Sequence, residues 1–140
     1  MPLNGFTSLC SKNAKQIVSR DKGNPQYHKA NNVSNSEVTH YKIDGKVIKT
    51  GDRCDYLLMN ETSKTAYLIE LKGSDLVKAA SQLEATENAL RSQLVEYQLQ
   101  YRIVANKCKT QEIHSSAYRK YQIRWKSRLL QKTGYIEEKI

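Results

Sequence analysis

The sequence predicts one α/β (α+β) domain, a mixed β-sheet flanked by helices, and three observations carry that expectation. Runs of apolar residues at strand-like spacing cover residues 37–50, 53–60, 65–72 and 100–106. Around and between them, residues 8–20, 75–98 and 115–132 carry apolar side chains at helical spacing, giving the order α-β-β-β-α-β-α with a further strand over residues 135–140. The chain of 140 residues is long enough for one hydrophobic core and too short for two ordinary domains, so residues 1–140 form a single unit.

Residues 1–7 read as a flexible start, and Leu9, Ala14, Ile17 and Val18 give residues 8–20 the stripe of a short amphipathic helix. Residues 21–36 are polar, rich in Asn and punctuated by Gly23 and Pro25, which predicts a long flexible loop able to contact substrate. His28 in that loop has no visible partner and reads as a surface histidine. Residues 37–50 predict a hairpin turning at Asp44-Gly45, and Gly51-Asp52 predicts a second turn or a bulge.

Residues 51–73 hold the chemistry. Glu61-Thr62-Ser63-Lys64 is a four-residue polar connection between two strands, so Asn60 faces Thr65 and Asp55 faces Glu70. Asp55, Leu57, Met59, Ala66, Leu68, Glu70 and Lys72 then share one sheet face. Facing carboxylates have Cβ atoms about 5 Å apart and destabilise a sheet by up to roughly 1 kcal/mol unless compensated. A hard divalent cation compensates directly, since it prefers carboxylate oxygens. Two acids and a lysine at the end of a hairpin can hold a metal, polarise water and steady developing negative charge. The competing expectation is a solvated charged patch in which Lys72 neutralises one acid. Glu37 and Asp52 are the nearby acids that could add a ligand.

Ser74 or Asp75 suits the N-cap of the following helix, whose stripe is Leu76, Ala80, Leu83, Leu90 and Leu94. The helix crosses to the strand of Tyr101, Ile103 and Val104, which is expected beside the Glu70 strand. In the last helix, Tyr118, Tyr121, Trp125 and Leu129 fall within about 80° of arc and read as core. Lys120, Arg124 and Arg128 recur every fourth residue as a cationic ridge, joined by Arg119 and Lys126. No acid lies between residues 115 and 130, so this face suits phosphate.

The net charge of +9 is uneven: residues 1–50 carry +5, residues 51–100 carry −3, and residues 101–140 carry +7. Basic ends around an acidic middle suit a nucleic-acid partner, with Arg53 beside the acids as a further phosphate contact. The three cysteines, Cys10, Cys54 and Cys108, are widely spaced, odd in number and form no CxxC pair, so neither a disulfide framework nor a zinc ribbon is indicated. With no signal segment, they predict an intracellular, reducing (cytoplasmic) setting. No apolar run is long enough to cross a membrane.

An Asp early in one strand followed by an apolar strand ending Glu-x-Lys resembles the PD-(D/E)xK nuclease superfamily, the restriction-endonuclease-like fold. The matching residues are Arg53-Cys54-Asp55-Tyr56-Leu57-Leu58 and Tyr67-Leu68-Ile69-Glu70-Leu71-Lys72-Gly73, and the likeness extends over roughly residues 37–107. It implies an α-β-β-β-α-β core and a metal, Mg²⁺ with Mn²⁺ able to substitute, held by Asp55, Glu70 and the Leu71 backbone carbonyl. It further implies that Lys72 orients the attacking water and stabilises charge, and that Gln82 is similar to the glutamine following the Glu-x-Lys strand in some branches. Cys54 replaces the family's proline, and residues 8–20 contain no acid where many members supply a glutamate.

The expectation is therefore a metal-dependent endonuclease acting on DNA rather than RNA, forming a homodimer to cut both strands of a duplex. The alternative is a catalytically silent relative that binds nucleic acid or a protein partner, in the manner of phage or mobile-element inhibitors. A plain interaction module with a solvated charged sheet is the third.

Overall fold

The computed structural model describes residues 3–73, 75–107 and 110–140, the side chains of Lys72 and Gly73 excepted. Ser74 and Cys108 lie outside the described residues. The chain is a mixed α+β domain with two sheets. Its elements are β1 (Gln16–Arg20), β2 (Tyr27–Asn31), β3 (Val38–Lys42), β4 (Tyr56–Asn60), β5 (Thr65–Gly73), α1 (Leu76–Ala89), α2 (Arg91–Leu94), β6 (Gln98–Ala105), α3 (Thr110–Ile113), α4 (Ser116–Trp125), a 3-10 turn (Lys126–Arg128), β7 (Leu129–Thr133) and β8 (Tyr135–Lys139).

The larger sheet has the order β3-β4-β5-β6-β7, antiparallel through β3, β4 and β5 and parallel from β5 to β7. The smaller sheet is β1-β2-β8. Side-chain alternation sorts the larger sheet onto two cores. Leu57, Met59, Ala66, Leu68, Tyr101 and Ile103 pack under α1 and α4 with Leu76, Leu83, Tyr118 and Trp125. Leu58, Ile69, Leu71 and Val104 pack against Ile17, Ala30 and Ile136 of the smaller sheet. The result is three layers: helices, five strands, three strands. Each fully buried leucine in these cores contributes about 1.5–3 kcal/mol relative to exposure.

The β4–β5 hairpin has the expected register, from Asn60↔Thr65 through Tyr56↔Ile69. Asn60 Oδ1 organises its loop by accepting from the N–H groups of Thr62 and Ser63. The parallel β5–β6 pair, the Asp75 N-cap, the buried Tyr118 and Trp125, and the final strand are also as expected.

Other elements differ. Residues 8–20 form no helix; their end is β1, which buries alternate residues Ile17 and Ser19 and leaves Val18 outward. The apolar residues there satisfy either period, and pairing with β2 decides for the strand. The expected loop over residues 21–36 contains β2, and Leu3 in the expected flexible start is buried with its N–H bonded to Tyr41 Oη. The expected hairpin over residues 37–50 does not close on itself, because β3 pairs with β4. Ile43 O instead collects the N–H groups of Lys46, Val47 and Ile48, and this compact turn packs Val47 and Ile48 onto the core. The turn expected at Gly51-Asp52 is present as a bend with Gly51 at φ 82, and a separate irregularity falls at Lys72, where the β5–β6 register shifts between Leu71 and Gly73. The helix expected through residue 98 ends at Ala89, followed by the short α2. The helix expected through residue 132 ends at Trp125, with Lys126 at φ 49. Leu129 and Leu130 then face opposite cores, as a strand requires.

The two sheets are tied by a buried ionic cluster. Glu138 of β8 accepts Arg102 Nε at 2.7 Å on Oε2 and Arg102 Nη2 at 2.9 Å on Oε1, and His28 Nε2 lies 2.7 Å from the same Oε2. His28, expected on the surface, is 0% exposed, because β2 carries it into the interface. Burial alone would raise the Glu138 pKa, but the hydrogen bonds from His28 and Arg102 and the Arg102 charge hold it at about 2. Burial, reinforced by His28, lowers His40 to about 4.

Both shifts make acid destabilising. The unfolded chain takes up the His40 proton near pH 6.5 while the folded one refuses it until about 4, so stability falls across that window as pH drops. Glu138 extends the fall from about 4.5 toward 2. Each accounts for up to roughly 3 kcal/mol. Urea unfolding against pH checks this: His40→Gln should flatten the upper window, and Glu138→Gln the lower one.

Candidate active site

Asp55 stands immediately before β4, where the antiparallel ladder with β5 ends. Its N–H donates to Ile69 O at 3.1 Å, and its carboxylate Oδ2 accepts from Leu71 N–H at 2.8 Å. Asp55 thus grips the main chain on both sides of Glu70. Strand parity with Ala66 and Leu68 turns Glu70 toward the helical layer, while Asp55 lies outside the strand, next to the buried Cys54. Asp55 is 4% exposed and Glu70 is 7% exposed, so the acids are not a solvated patch.

Their field is felt by Cys54. This thiol is fully buried, and its pKa is pushed far up, first by burial and further by the charges of Glu70 and Asp55. It is an inert thiol. Helix α1 closes over it: Cys54 N–H donates to Thr86 Oγ1 at 2.7 Å, and Thr86 Oγ1 donates in turn to Gln82 O at 3.1 Å. Thr86 occupies the slot between Leu83 and Leu90 in the apolar stripe of α1, the one polar side chain in that row. That misfit is the sequence signal for its role, which pattern reading passed over.

The donor chemistry fits a hard divalent cation. The acids offer carboxylate oxygens from two strands, and the β5–β6 ladder loses its register just after Leu71, the residue whose carbonyl the resemblance assigns to the metal. Among the described residues no three His, Cys, Asp or Glu side chains gather as a cluster, so the described side-chain donors are the two carboxylates. Lys72 occupies the irregular position of β5, and its side chain lies outside the described residues. Gln82 precedes Thr86 by one turn, on the α1 face that meets Cys54.

The other expected residues lie elsewhere. Glu37 is at the far end of β4, where its carbonyl accepts Glu61 N–H and its carboxylate pairs with Lys12 at 3.2 Å. Five strand residues separate these ends, about 17 Å. Asp52 is exposed in the bend before Cys54. Arg53 donates from Nε to Asp44 at 2.7 Å. Arg119, Lys120 and Lys126 are exposed, Arg124 pairs with Glu84 at 2.6 Å, and Arg128 lies over the Tyr101 ring. Because α4 stops at Trp125, these cations do not form one helical ridge.

No protein-family model, curated protein or solved structure matches the chain. The site is therefore read from its own residues.

Thr86→Val preserves shape and removes the acceptor of the buried Cys54 N–H. The expected loss is about 1–3 kcal/mol in chemical unfolding, with Thr86→Ser costing less because it keeps the oxygen.

Proposed function

We propose that the chain is a metal-dependent nuclease of the PD-(D/E)xK type, hydrolysing phosphodiester bonds in DNA. The carrying observation is the pair of carboxylates, Asp55 and Glu70, almost fully buried where the β4–β5 ladder ends, with the Asp55 carboxylate bonded to the N–H of the residue after Glu70. The succession β3-β4-β5-α1-β6, with β5 and β6 parallel, supports the reading, since the resemblance implies β-β-β-α-β at that place. The departure is the opening helix, replaced here by β1, so no carboxylate from a first helix joins the site.

Asp55, Glu70 and the Leu71 carbonyl would hold Mg²⁺, with Mn²⁺ able to substitute. The bound ion supplies Lewis-acid polarisation of the phosphate and charge neutralisation. Asp55 keeps Oδ2 engaged with Leu71 N–H, which orients its carboxylate and couples the two strands of the site. Lys72 places the attacking water and offsets negative charge on the phosphoryl oxygens. The water oxygen joins phosphorus, a phosphoester bond breaks, and the leaving oxygen takes up a proton. The exposed Arg119, Lys120 and Lys126 supply cations for the backbone. One site per chain makes a homodimer the route to cutting both strands of a duplex. No helix among the described residues is long and apolar enough to cross a membrane.

The burial of both acids also suits a second reading, a silent relative that binds nucleic acid or inhibits a protein partner through its exposed cations. The two are separated by incubating wild type, Glu70→Ala and Lys72→Ala with single-strand, duplex and branched DNA and with RNA, in Mg²⁺, Mn²⁺ or EDTA. The nuclease reading expects cutting of DNA that stops in EDTA and falls by at least about 100-fold in either variant. Absence of cutting with undiminished, salt-sensitive binding by all three proteins selects the silent binder.

Metal binding gives an independent readout. Mg²⁺ should raise the Tm of wild type and leave that of Asp55→Asn/Glu70→Gln unmoved, because a ligand bound only by the folded state stabilises it by mass action. Equal responses in scanning calorimetry would remove the metal from the site.

A further inference from the structure

A cavity of ≈ 380 Å³ opens at the C-terminal end of α1, lined by three arginines from three elements: Arg91 of α2, Arg124 of α4 and Arg128 of the 3-10 turn. The carboxylates in this region are largely committed. Glu84 accepts Arg124 at 2.6 Å and the Tyr121 hydroxyl at 3.2 Å. Glu87, on the cavity wall, accepts the Tyr101 hydroxyl at 2.6 Å. Arg91 bonds the neutral Asn88 amide oxygen, and Arg128 lies 5.7 Å over the Tyr101 ring. Among the described residues neither Arg91 nor Arg128 has a carboxylate partner. Three guanidinium groups thus face one carboxylate, Glu87, in the cavity lining, an excess of positive charge, and their planar forks match phosphate oxygens in a bidentate way.

The remaining wall is apolar and aromatic. Trp125 and Tyr101 stack with centroids 3.9 Å apart and planes 7° from parallel, which makes the wall rigid. Leu94 and Leu99 line it further, and Val95 stands at the rim, 78% exposed. A bare inorganic anion would use only the guanidinium side. A ligand with a flat, weakly polar body and a phosphate would use both sides, and the volume lies within the range of small-molecule sites. We propose that this cavity binds a nucleotide, with the phosphate held by Arg91 and Arg128 and the base against the aromatic and apolar wall. The nucleotide is either a free mononucleotide or the phosphorylated end of a single strand; the recognised chemistry is the same. The site is separate from Asp55 and Glu70, and the inference does not depend on cleavage.

Trp125 is the only tryptophan in the chain and lines the cavity, so its emission reports occupancy directly. Wild-type protein in EDTA is titrated with AMP, adenosine, inorganic phosphate, and a DNA trinucleotide with and without a 5′-phosphate. Saturable quenching is expected with AMP or with the 5′-phosphorylated trinucleotide, and the tighter of the two names the source. Adenosine, inorganic phosphate and the unphosphorylated strand should bind at least about 10-fold more weakly. Arg91→Gln and Arg128→Gln should each weaken nucleotide binding about 10-fold or more, and Val95→Tyr should block it by filling the mouth. Arg91 and Val95 are exposed, so their variants should keep the wild-type Tm. No saturable change with either phosphorylated compound overturns the proposal. So does inorganic phosphate binding as tightly as AMP, or well-folded Arg91→Gln and Val95→Tyr proteins that bind as wild type does.

Discussion

Two carboxylates buried where one strand ladder ends set the terms for everything around them. Bringing Asp55 and Glu70 to 4% and 7% exposure removes much of their hydration, which is costly for charged groups. Part of the compensation is visible in the main chain: Asp55 Oδ2 takes the Leu71 N–H, and its own N–H is bound by Ile69 O. The side chain thereby replaces the next rung of the ladder where β4 begins. The same contact fixes the carboxylate in orientation, which a metal ligand needs and a solvated surface acid does not. The helix above contributes Thr86, whose hydroxyl completes the hydrogen bonding of Cys54 and closes the helical layer onto the strand.

The larger sheet serves as a divider between two kinds of environment. On its helical side lie Glu70, the main aromatic core and the arginine-lined cavity. On the other side the smaller sheet covers an aliphatic core, with Glu138, Arg102 and His28 bound into it. A buried ion pair of this kind adds little net stability against an apolar alternative, yet it is costly to break once formed. Arg102 also reaches the carbonyls of Tyr101 and Arg128, so the cluster locks β6, β8 and the 3-10 turn in one arrangement. That lock positions Arg128 at the cavity on the opposite side of the sheet.

Seen together, the acid pair and the cavity divide the chemistry that the charge distribution announces. Negative charge is concentrated at the end of the β4–β5 hairpin and is suited to a cation. Positive charge from Arg91, Arg124 and Arg128 surrounds a pocket suited to phosphate. The exposed Arg119, Lys120 and Lys126 lie on and just beyond α4. The fold keeps the two apart, so that the cations do not neutralise the acids, as the proposed action on nucleic acid would require.

Features set by neighbours in sequence were legible without a structure. The four-residue loop after Asn60 and the register from Asn60↔Thr65 to Tyr56↔Ile69 follow from local turn length and the period of a strand. The expected facing of Asp55 and Glu70 lies one position beyond the last paired rung, where Asp55 bonds Ile69 O and Leu71 N–H. The Asp75 cap and the crossover from β5 to β6 are equally local in origin. Tertiary structure decided what depended on distant partners. Residues 16–20 carry apolar side chains that suit either a helix or a strand, and only β2 beside them selects the strand. β2 itself, polar and rich in Asn, is a strand because β1 and β8 bracket it, the latter pairing Tyr27 with Tyr135 from the far end of the chain. The run after Trp125 continues a helical pattern until pairing with β6 draws Leu129 and Leu130 to opposite faces. Burial of the acids, the closure by Thr86 and the gathering of Arg91 with Arg128 belong to the same class. Each is produced by packing between residues far apart in the chain, and local periodicity carries no record of such contacts.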